Sequence, residues 1–277
     1  MYKSYFKTVY VVGNGLDLSC GFKTSYFDFM ESLTIQQKNK NNLMRHLSKT
    51  YSNQGWIDLE IELKNYSNRL KKGLNPNWKE YQESFEDLKM SLYQYLSKIN
   101  FSSQQNIKNF ELMEGFVKEY ELLYILNFNY SNTIEEYLEL FSRKLKNQIK
   151  INHIHGTLKG NDIIIGVQDD VDLPKGANFL YKSRHVNPQQ IANIAHVLKE
   201  ADTIVFFGYS LGETDHSYFD FLFETQSANE ATSKNFIFYH YGDDARNELD
   251  YNLRMLTKKN LNHFYANNNV EFKDCKN

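Results

Sequence analysis

The run from Thr8 to Val12 is a short apolar segment that gives way to Gly-Asn-Gly at 13–15. Its β-branched and aromatic residues are typical of a buried strand, and the glycines permit a tight turn with close backbone approach. A helix that begins after such a turn directs free N–H groups and a positive dipole end at an anion. Strand, phosphate-sized loop and helix together predict an α/β fold with a nucleotide site at its first turn.

Two interpretations of this turn stay open at the level of the motif. Gly13, Gly15 and Gly21 do not give the Gly-x-Gly-x-x-Gly spacing of a dinucleotide-binding fold. A tight strand-to-helix turn without a ligand explains the glycines equally well. The remaining motifs of the chain therefore have to decide between the two.

Length, charge and cysteine content narrow the class of protein. The 277 residues allow one large α/β domain with an insertion, or two smaller domains. The net charge of −2 gives no overall attraction to nucleic acid, so a nucleic-acid partner is not expected. Cys20 and Cys275 lack zinc-ribbon spacing and suit a reducing compartment, and no apolar run is long enough to span a membrane. We expect a cytoplasmic protein without a membrane segment.

Short apolar runs alternate with segments of helical periodicity. Runs with the length and composition of strands occur at 8–12, 122–126, 149–154, 162–167, 203–207, 236–241 and 270–272. Helix-like segments follow most of them, including 134–146, 215–224 and 243–259. This alternation predicts a mainly parallel sheet covered by helices.

A long polar interval at 25–120 separates the first two predicted strands. Apolar residues recur every three or four positions over 59–70 and 81–99, and a Gly-Leu-Asn-Pro-Asn segment at 73–77 lies between these stripes. The periodicity is typical of amphipathic helices, and the glycine and proline mark a break between them. We therefore expect a single α/β domain over 1–277 with a helical insertion at 25–120.

Polar residues follow the second predicted strand directly, as Asn-Phe-Asn-Tyr-Ser at 127–131. Ligands of open parallel sheets bind at the carboxyl ends of the strands, so Asn129 and Ser131 are candidates for ligand contact. Asn and Ser are also common helix caps, and capping of the following helix is the alternative role.

The next predicted strand ends in His-Ile-His-Gly at 153–156. Side chains alternate along a strand, so His153 and His155 would share one face, and Gly156 opens space beside His155. An imidazole at the ligand edge of a sheet is a candidate general base. The alternatives are a structural pair of histidines and a metal site; because no third ligand is spaced near the pair, no metal is expected.

The strand at 203–207 leads into Gly-Tyr-Ser-Leu-Gly-Glu-Thr-Asp-His at 208–216. A loop with Ser210 and Asp215 fits a ribose or adenine pocket, whereas a packing role for Gly208 and a cap at Asp215 are the structural alternative. Its Gly-x-Ser-x-Gly spacing mimics the nucleophile elbow of hydrolases. The residues after Ser210 do not supply Asp and His partners in the order that this class requires, so we do not expect a serine hydrolase.

Taken in order, these motifs resemble the AbiH family. The matching segments are Val-Gly-Asn-Gly-Leu-Asp at 12–17, Lys-Thr-Ser-Tyr at 23–26, Trp-Ile-Asp-Leu-Glu at 56–60, Phe-Asn-Tyr-Ser at 128–131, His-Ile-His-Gly at 153–156 and the loop from Phe207 to His216. The resemblance extends over essentially the whole chain. AbiH proteins are associated with bacterial abortive infection against phage, so the resemblance implies a role in antiviral defence.

More distantly, the same motifs are similar to the sirtuin-like domains of phage-defence NAD hydrolases. That resemblance implies a Rossmann-like (sirtuin-like) sheet with Asn129 and His155 at the catalytic positions. By the same match, nucleotide-binding positions fall on Gly13, Gly15, Gly208, Ser210 and, with a shift in the alignment, Asp215. Further candidates for nucleotide contact are Asn14, Asp17, Thr24 and Tyr130. Ser131 stands where the defence domains carry Asp, and Asp17 stands near where sirtuins carry Ser. The zinc cysteines of sirtuin deacylases are absent, so a protein deacylase is not expected.

The resemblance implies that NAD is a substrate, hydrolysed to nicotinamide and ADP-ribose, with its phosphates on the amides from Gly13 to Asp17. Because uncontrolled loss of NAD would kill the host, we expect the activity to stay latent until a phage trigger or partner protein acts. The insertion is the candidate for a sensing or homo-oligomer surface. Two alternatives remain open. One is an enzyme that acts on another nucleotide or a nucleic-acid end, and the other is a non-catalytic nucleotide sensor or partner-binding module.

Overall fold

The computed structural model of the protein describes residues 8–55, 58–73, 75–102, 123–141, 149–228 and 231–276. The strands are β1 (Thr8–Val12), β2 (Leu123–Asn127), β3 (Ile149–His153), β4 (Thr203–Phe207), β5 (Asn235–His240) and β6 (Asn269–Asp274). Within the described residues they form one six-stranded sheet in the order β3-β2-β1-β4-β5-β6. Each neighbouring pair is parallel, which confirms the predicted α/β fold with a parallel sheet.

Helices connect the strands and cover both faces of the sheet. The α-helices are α1 (Gly15–Ser19), α2 (Tyr26–Ser32), α3 (Ile35–Lys38), α4 (Asn42–Gln54), α5 (Leu59–Lys71), α6 (Trp78–Leu96), α7 (Thr133–Phe141), α8 (Pro188–Glu200), α9 (Asp220–Gln226), α10 (Gly242–Leu256) and α11 (Leu261–Asn267). Short 3-10 helices span Lys175–Leu180, Lys182–Arg184 and Glu213–Tyr218. None of the described helices combines the length and apolar character that crossing a bilayer requires.

Side-chain alternation along the strands divides the core into two layers. Val9 and Val11 of β1 face α8, α9, α10 and α11, and the next residues along, Tyr10 and Val12, face α1 and α7. All of β1 is buried. A parallel sheet needs such cover on both faces, and the continuous apolar runs of its strands follow from it.

The described part of the predicted insertion is helical, from α2 to α6. Asp58 starts α5 by accepting hydrogen bonds from the amides of Glu60 and Ile61 at 2.9 and 3.1 Å. The apolar stripes of α4, α5 and α6 pack together in a third buried cluster. Residues 103–120 of the predicted insertion lie outside the described residues, as does the end of the helix predicted at 134–146. That 1–277 forms a single domain stays a prediction.

The strand predicted at 162–167 is wrong. Its alternating isoleucines are buried, but against the helices of the insertion rather than in the sheet. The N–H of Ile164 donates to the carbonyl of His155 at 2.7 Å, and that of Gly166 donates to the carboxylate of Glu60 at 3.2 Å. Because the backbone groups that a strand would pair are used by a loop and a side chain, the segment runs alongside the helices as extended coil.

Candidate functional site

A cavity of about 270 Å³ opens at the carboxyl ends of β1, β2 and β4. From β1 the sheet continues through β2 and β3 on one side and through β4, β5 and β6 on the other. This strand order is that of the Rossmann fold, and the cavity lies at its switch point, where α/β folds bind ligands. The predicted site residues that line it are Gly13, Asn14, Asp17, Thr24, Asn129, Tyr130, His155, Gly208, Ser210 and Asp215. Gly15 lies behind the lining.

Backbone-to-backbone contact between the loops after β1 and β4 explains their glycines. A Cβ on Gly15 would lie 2.4 Å from the Cα of Gly208, and a Cβ on Gly13 would lie 2.6 Å from the carbonyl oxygen of Gly208. Gly208 also has a φ of +56°, which other residues rarely adopt. The two loops can approach this closely only because neither carries a side chain at the contact.

Several amides expected to hold phosphate are bonded within the protein. The N–H of Gly13 donates to the last carbonyl of β4 at 3.0 Å, and the N–H of Gly15 donates to the carbonyl of Gly208 at 2.8 Å. The N–H of Leu16 donates back to Gly13 at 3.0 Å. These three amides thus stabilise the turn and join it to β4 and the loop after it, and phosphate contact on the amides from Gly13 to Asp17 stays a prediction.

Asn129 lies just after β2 and is buried. Its backbone N–H donates to Oδ1 of Asn127 at 3.0 Å, and its side-chain Nδ2 donates to the carbonyl of Gly13 at 3.0 Å. These bonds fix the orientation of the side-chain amide. No described residue donates a hydrogen bond to Oδ1 of Asn129, so this oxygen is available to a ligand in the cavity.

Asp17 is buried and accepts two hydroxyl hydrogen bonds on Oδ1, from Ser131 at 2.9 Å and Thr133 at 2.7 Å. Burial raises the pKa of Asp17 to about 6, and the hydrogen bonds from Thr133 and Ser131 offset part of that rise. Asp17 and Ser131 are the two positions that depart from the sirtuin-like pattern. Because the Ser131 hydroxyl donates to Asp17, the two substituted positions form one hydrogen-bonded pair.

His155 and Asp215 meet on the opposite side of the cavity. Nε2 of His155 lies 3.1 Å from Oδ1 of Asp215, although its direction does not give a good hydrogen bond. The edge of the His155 ring packs against Phe128, with ring centroids 5.2 Å apart. Oδ2 of Asp215 accepts a hydrogen bond from Tyr209 at 3.0 Å. The imidazole is thus held between an aromatic face and a carboxylate.

Behind Asp215 lies a charge network, which we define as Glu60, Lys182 and Asp215. Nζ of Lys182 lies 2.9 Å from Glu60 Oε2 and 2.8 Å from Asp215 Oδ1, and the lysine side chain is 0% exposed. Burial alone would lower the pKa of Lys182, but the charges of Asp215 and Glu60 raise it above the ordinary value. Burial would raise the pKa of Asp215, and Lys182, then His155, lower it well below its usual range. Lys182 and Asp215 are therefore ionised.

Sequence reasoning missed the placement of Lys182 and Glu60 beside the cavity. Glu60 belongs to a segment that carries the AbiH resemblance, but nothing in its spacing indicates a contact with the sheet edge. Lys182 lies in a polar stretch, and its partner Glu60 is 122 positions away in the chain. A lysine in a polar stretch is expected to be exposed, and only the tertiary structure shows that Lys182 is buried.

Asp58 adds a further carboxylate to the insertion side of the cavity. Burial, and next the charge of Glu60, raise the pKa of Asp58 to about 6, so the group is largely ionised at neutral pH. The cavity lining thus contains Asp17, Asp58, Glu60 and Asp215, and no Lys or Arg occurs among its described residues. Its electrostatic character is acidic.

Two smaller contacts and one exposed serine also belong to the lining. Thr24 donates its hydroxyl to Oδ1 of Asn14 at 2.6 Å, so these two predicted residues bind each other. The Tyr130 hydroxyl donates to the carbonyl of Ile164 at 3.0 Å. Ser210 is exposed at the cavity. Each of these groups is placed at the cavity, and a role in binding nucleotide stays a prediction for all of them.

Of the two motif histidines, only His155 lines the cavity. β3 ends at His153, whose Nε2 lies 2.6 Å from Oε1 of Glu135 and whose Nδ1 lies 3.2 Å from the backbone carbonyl of Asn129. Burial alone would lower the pKa of His153, but Glu135 raises it above the ordinary value. His153 therefore acts as a structural support beneath Asn129. The described residues contain no group of three His, Cys, Asp or Glu side chains placed to hold a metal ion.

The chain was compared with known proteins and protein families. No curated protein matches the chain. The family described as Bacteriophage abortive infection AbiH matches residues 9–239, which include every residue of the cavity lining. The match spans most of the chain from β1 to β5 and supports a role in abortive infection by phage. The protein belongs to the AbiH family.

Proposed function

We propose that this AbiH protein hydrolyses the bond between nicotinamide and ribose in NAD. The observation that carries the proposal is the convergence of Asn129 and His155 in one cavity at the switch point of a Rossmann-ordered sheet. The two residues come from the ends of β2 and β3, and they are those for which the sirtuin-like resemblance implies catalytic roles. Loss of NAD from an infected cell would account for abortive infection.

The reaction requires little acid catalysis at the leaving group. The C1′–N bond breaks with its electron pair going to the pyridinium nitrogen, so nicotinamide leaves as a neutral molecule. A water oxygen forms the new bond to C1′, and its proton passes to His155 as general base. Asn129 orients the water or a ribose hydroxyl through its free Oδ1. A pair of carboxylates, as in ordinary glycosidases, is not needed.

The acidic lining favours the same chemistry. The transition state of this cleavage is oxocarbenium-like and carries positive charge on the ribose ring. Fixed carboxylates in a partly buried site stabilise such a charge without reorganising during the reaction. Asp17 is fixed by two hydroxyl hydrogen bonds and Asp215 by Lys182 and Tyr209, so both are held in place before substrate binds.

The test is a time course of nicotinamide and ADP-ribose release from NAD, with and without lysate from phage-infected cells. We expect wild-type protein to release both products, and His155→Ala and Asn129→Ala each to lower the rate by about 100-fold or more. The matched controls are His263→Ala and Asn193→Ala, which remove the same side chains from exposed positions on α11 and α8 and should keep the wild-type rate. Thermal unfolding of every variant verifies that it is folded.

Two other results would replace the proposal. Absence of product with lysate present, together with depletion of a different nucleotide, would indicate an enzyme of another substrate class. Binding of NAD without turnover, with defence unaffected by Asn129→Ala, would indicate a nucleotide sensor or partner-binding module.

A further inference from the structure

The described cavity is at the small end of ligand sites. Its volume is about 270 Å³. Sites for drug-sized ligands usually enclose about 300–1,000 Å³. Because the cavity opens to the surface, a dinucleotide can extend beyond it, and the question is which portion of NAD its chemistry selects.

The charge of the lining disfavours phosphate. Asp17, Asp58, Glu60 and Asp215 all face or border the cavity, and its described lining has no Lys or Arg. The one buried lysine nearby, Lys182, is already bound by two of these carboxylates. A phosphate inside the cavity would meet uncompensated negative charge, whereas a cation would meet attraction.

The usual backbone site for a pyrophosphate is partly used within the protein. Rossmann-type folds hold the pyrophosphate on free amides of the glycine loop and on the amino end of the helix behind it. Here the amides of Gly13, Gly15 and Leu16 donate to backbone carbonyls, and α1 is only five residues long. The turn therefore offers a pyrophosphate fewer free amides than an open glycine loop would.

One buried polar atom at the cavity lacks a hydrogen bond of good geometry. It is Nε2 of His155, whose residue is 6% exposed. Asn129 beside it is 5% exposed, and no described residue donates to its Oδ1. Buried polar atoms without partners are rare in native structures, so this pair of groups indicates a polar ligand such as a ribose and its attacking water. The acidic surroundings indicate that this ligand is cationic.

We propose that the cavity recognises the cationic pyridinium riboside end of its substrate alone and leaves the phosphates outside. This inference rests on the proposed NAD hydrolysis and specifies its substrate class as pyridinium N-ribosides, with or without phosphate. For the free riboside the bond that breaks, the water that attacks and the proton acceptor are those already described, and the products are nicotinamide and ribose.

The experiment compares three substrates that share the scissile bond: NAD, nicotinamide mononucleotide and nicotinamide riboside. Nicotinamide release is followed for each under the same conditions. We expect kcat/KM for the riboside to lie within about threefold of that for NAD or above it, because the phosphates contribute no favourable contact in the cavity. A riboside that is hydrolysed about 100-fold more slowly than NAD would overturn the inference while leaving the proposed function intact.

If none of the three compounds is hydrolysed, the proposed NAD hydrolysis is rejected. Calorimetric titration of the protein with each compound then tests the inference separately. Riboside that binds wild-type protein as tightly as NAD, and more tightly than ADP-ribose, would still support the inference. Preferential binding of ADP-ribose, or binding of none of the compounds, would contradict it.

Asp58→Asn gives a second, charge-specific test. Asn caps helices as well as Asp, so α5 should keep its start while the cavity loses one negative charge. We expect affinity for the riboside to fall by about fivefold relative to that for ADP-ribose. The matched control is Asp243→Asn, which removes an exposed carboxylate from the first turn of α10 and should leave the ratio unchanged. An unchanged ratio in Asp58→Asn would contradict the electrostatic selection.

Discussion

The cavity meets the sheet on one side and the helical insertion on the other, and the two sides are held together differently. The sheet side rests on backbone contact between Gly13, Gly15 and Gly208, without any charge. The insertion side rests on the charge network, in which Lys182 joins Glu60 of α5 to Asp215 of the 3-10 helix after β4. Steric fit therefore fixes one side and ion pairing fixes the other, and single substitutions can disrupt each side separately.

The largest effect is expected from Lys182→Met, which breaks the charge network. Removing the amine leaves the carboxylates of Glu60 and Asp215 buried without compensation, at a cost of about 3–5 kcal/mol in the free energy of unfolding. Urea unfolding measures the loss. Lys64→Met is the control, because Lys64 on α5 forms an exposed pair with Glu213 at 3.6 Å, and it should cost less than about 1 kcal/mol. Equal stability of the two variants would show that the network does not hold the insertion side.

A double variant sharpens the same test. In Lys182→Met with Glu60→Gln, one of the two uncompensated charges is gone, so part of the lost stability should return. No recovery would mean that the cost of Lys182→Met comes from packing rather than charge.

Gly208→Ala disrupts the sheet side. Its Cβ would lie 2.5 Å from the Cα of Gly15, and the φ of +56° is unfavourable for alanine. Overpacking and backbone strain together should cost about 2–4 kcal/mol in the free energy of unfolding. Gly212→Ala in the same loop meets only the Ser210 hydroxyl, at 3.6 Å, and should stay within about 0.5 kcal/mol of wild type. A tolerated Gly208→Ala would contradict the close contact of the two loops.

Asp17→Asn should change the free energy of unfolding by less than the preceding variants and should stabilise the protein. The pKa of Asp17 is raised from 3.8 to about 6, so the folded protein binds more protons than the unfolded chain between these values. Stability therefore falls as pH rises through that window, and the full cost is present above pH 6, at most about 3 kcal/mol. Asn keeps an acceptor for Ser131 and Thr133 and removes the charge.

The measurement is the unfolding midpoint of Asp17→Asn and wild type from pH 4 to pH 8. We expect the variant to be more stable at pH 7, with a shallower decline between pH 4 and pH 6. Asp58 has a similarly raised pKa, so the unfolding midpoint of the variant should still decline somewhat with rising pH. A variant less stable than wild type at pH 7 would show that the charge of Asp17 does not cost stability.

The same contrast explains what the sequence could predict. Gly13, Asn129, His155 and Gly208 each come directly after a strand, and parallel strands bring their carboxyl ends to one edge, so local patterns placed them correctly. The charge network follows no local pattern, because its members come from one α-helix and two 3-10 helices that meet only in the folded chain. The apolar run at 162–167 has the composition of a strand, and only distant partners, among them Glu60, decide against that assignment.

The most direct test of the central claim is a crystal structure of the His155→Ala variant with nicotinamide riboside. We expect the ribose in the cavity at the ends of β1, β2 and β4, with a hydroxyl or bound water within about 3.2 Å of Oδ1 of Asn129. The C1′ atom of the ribose should face the position of the missing imidazole. Riboside bound at another surface, or a cavity that stays empty at saturating ligand, would contradict the claim that this site cleaves an N-riboside.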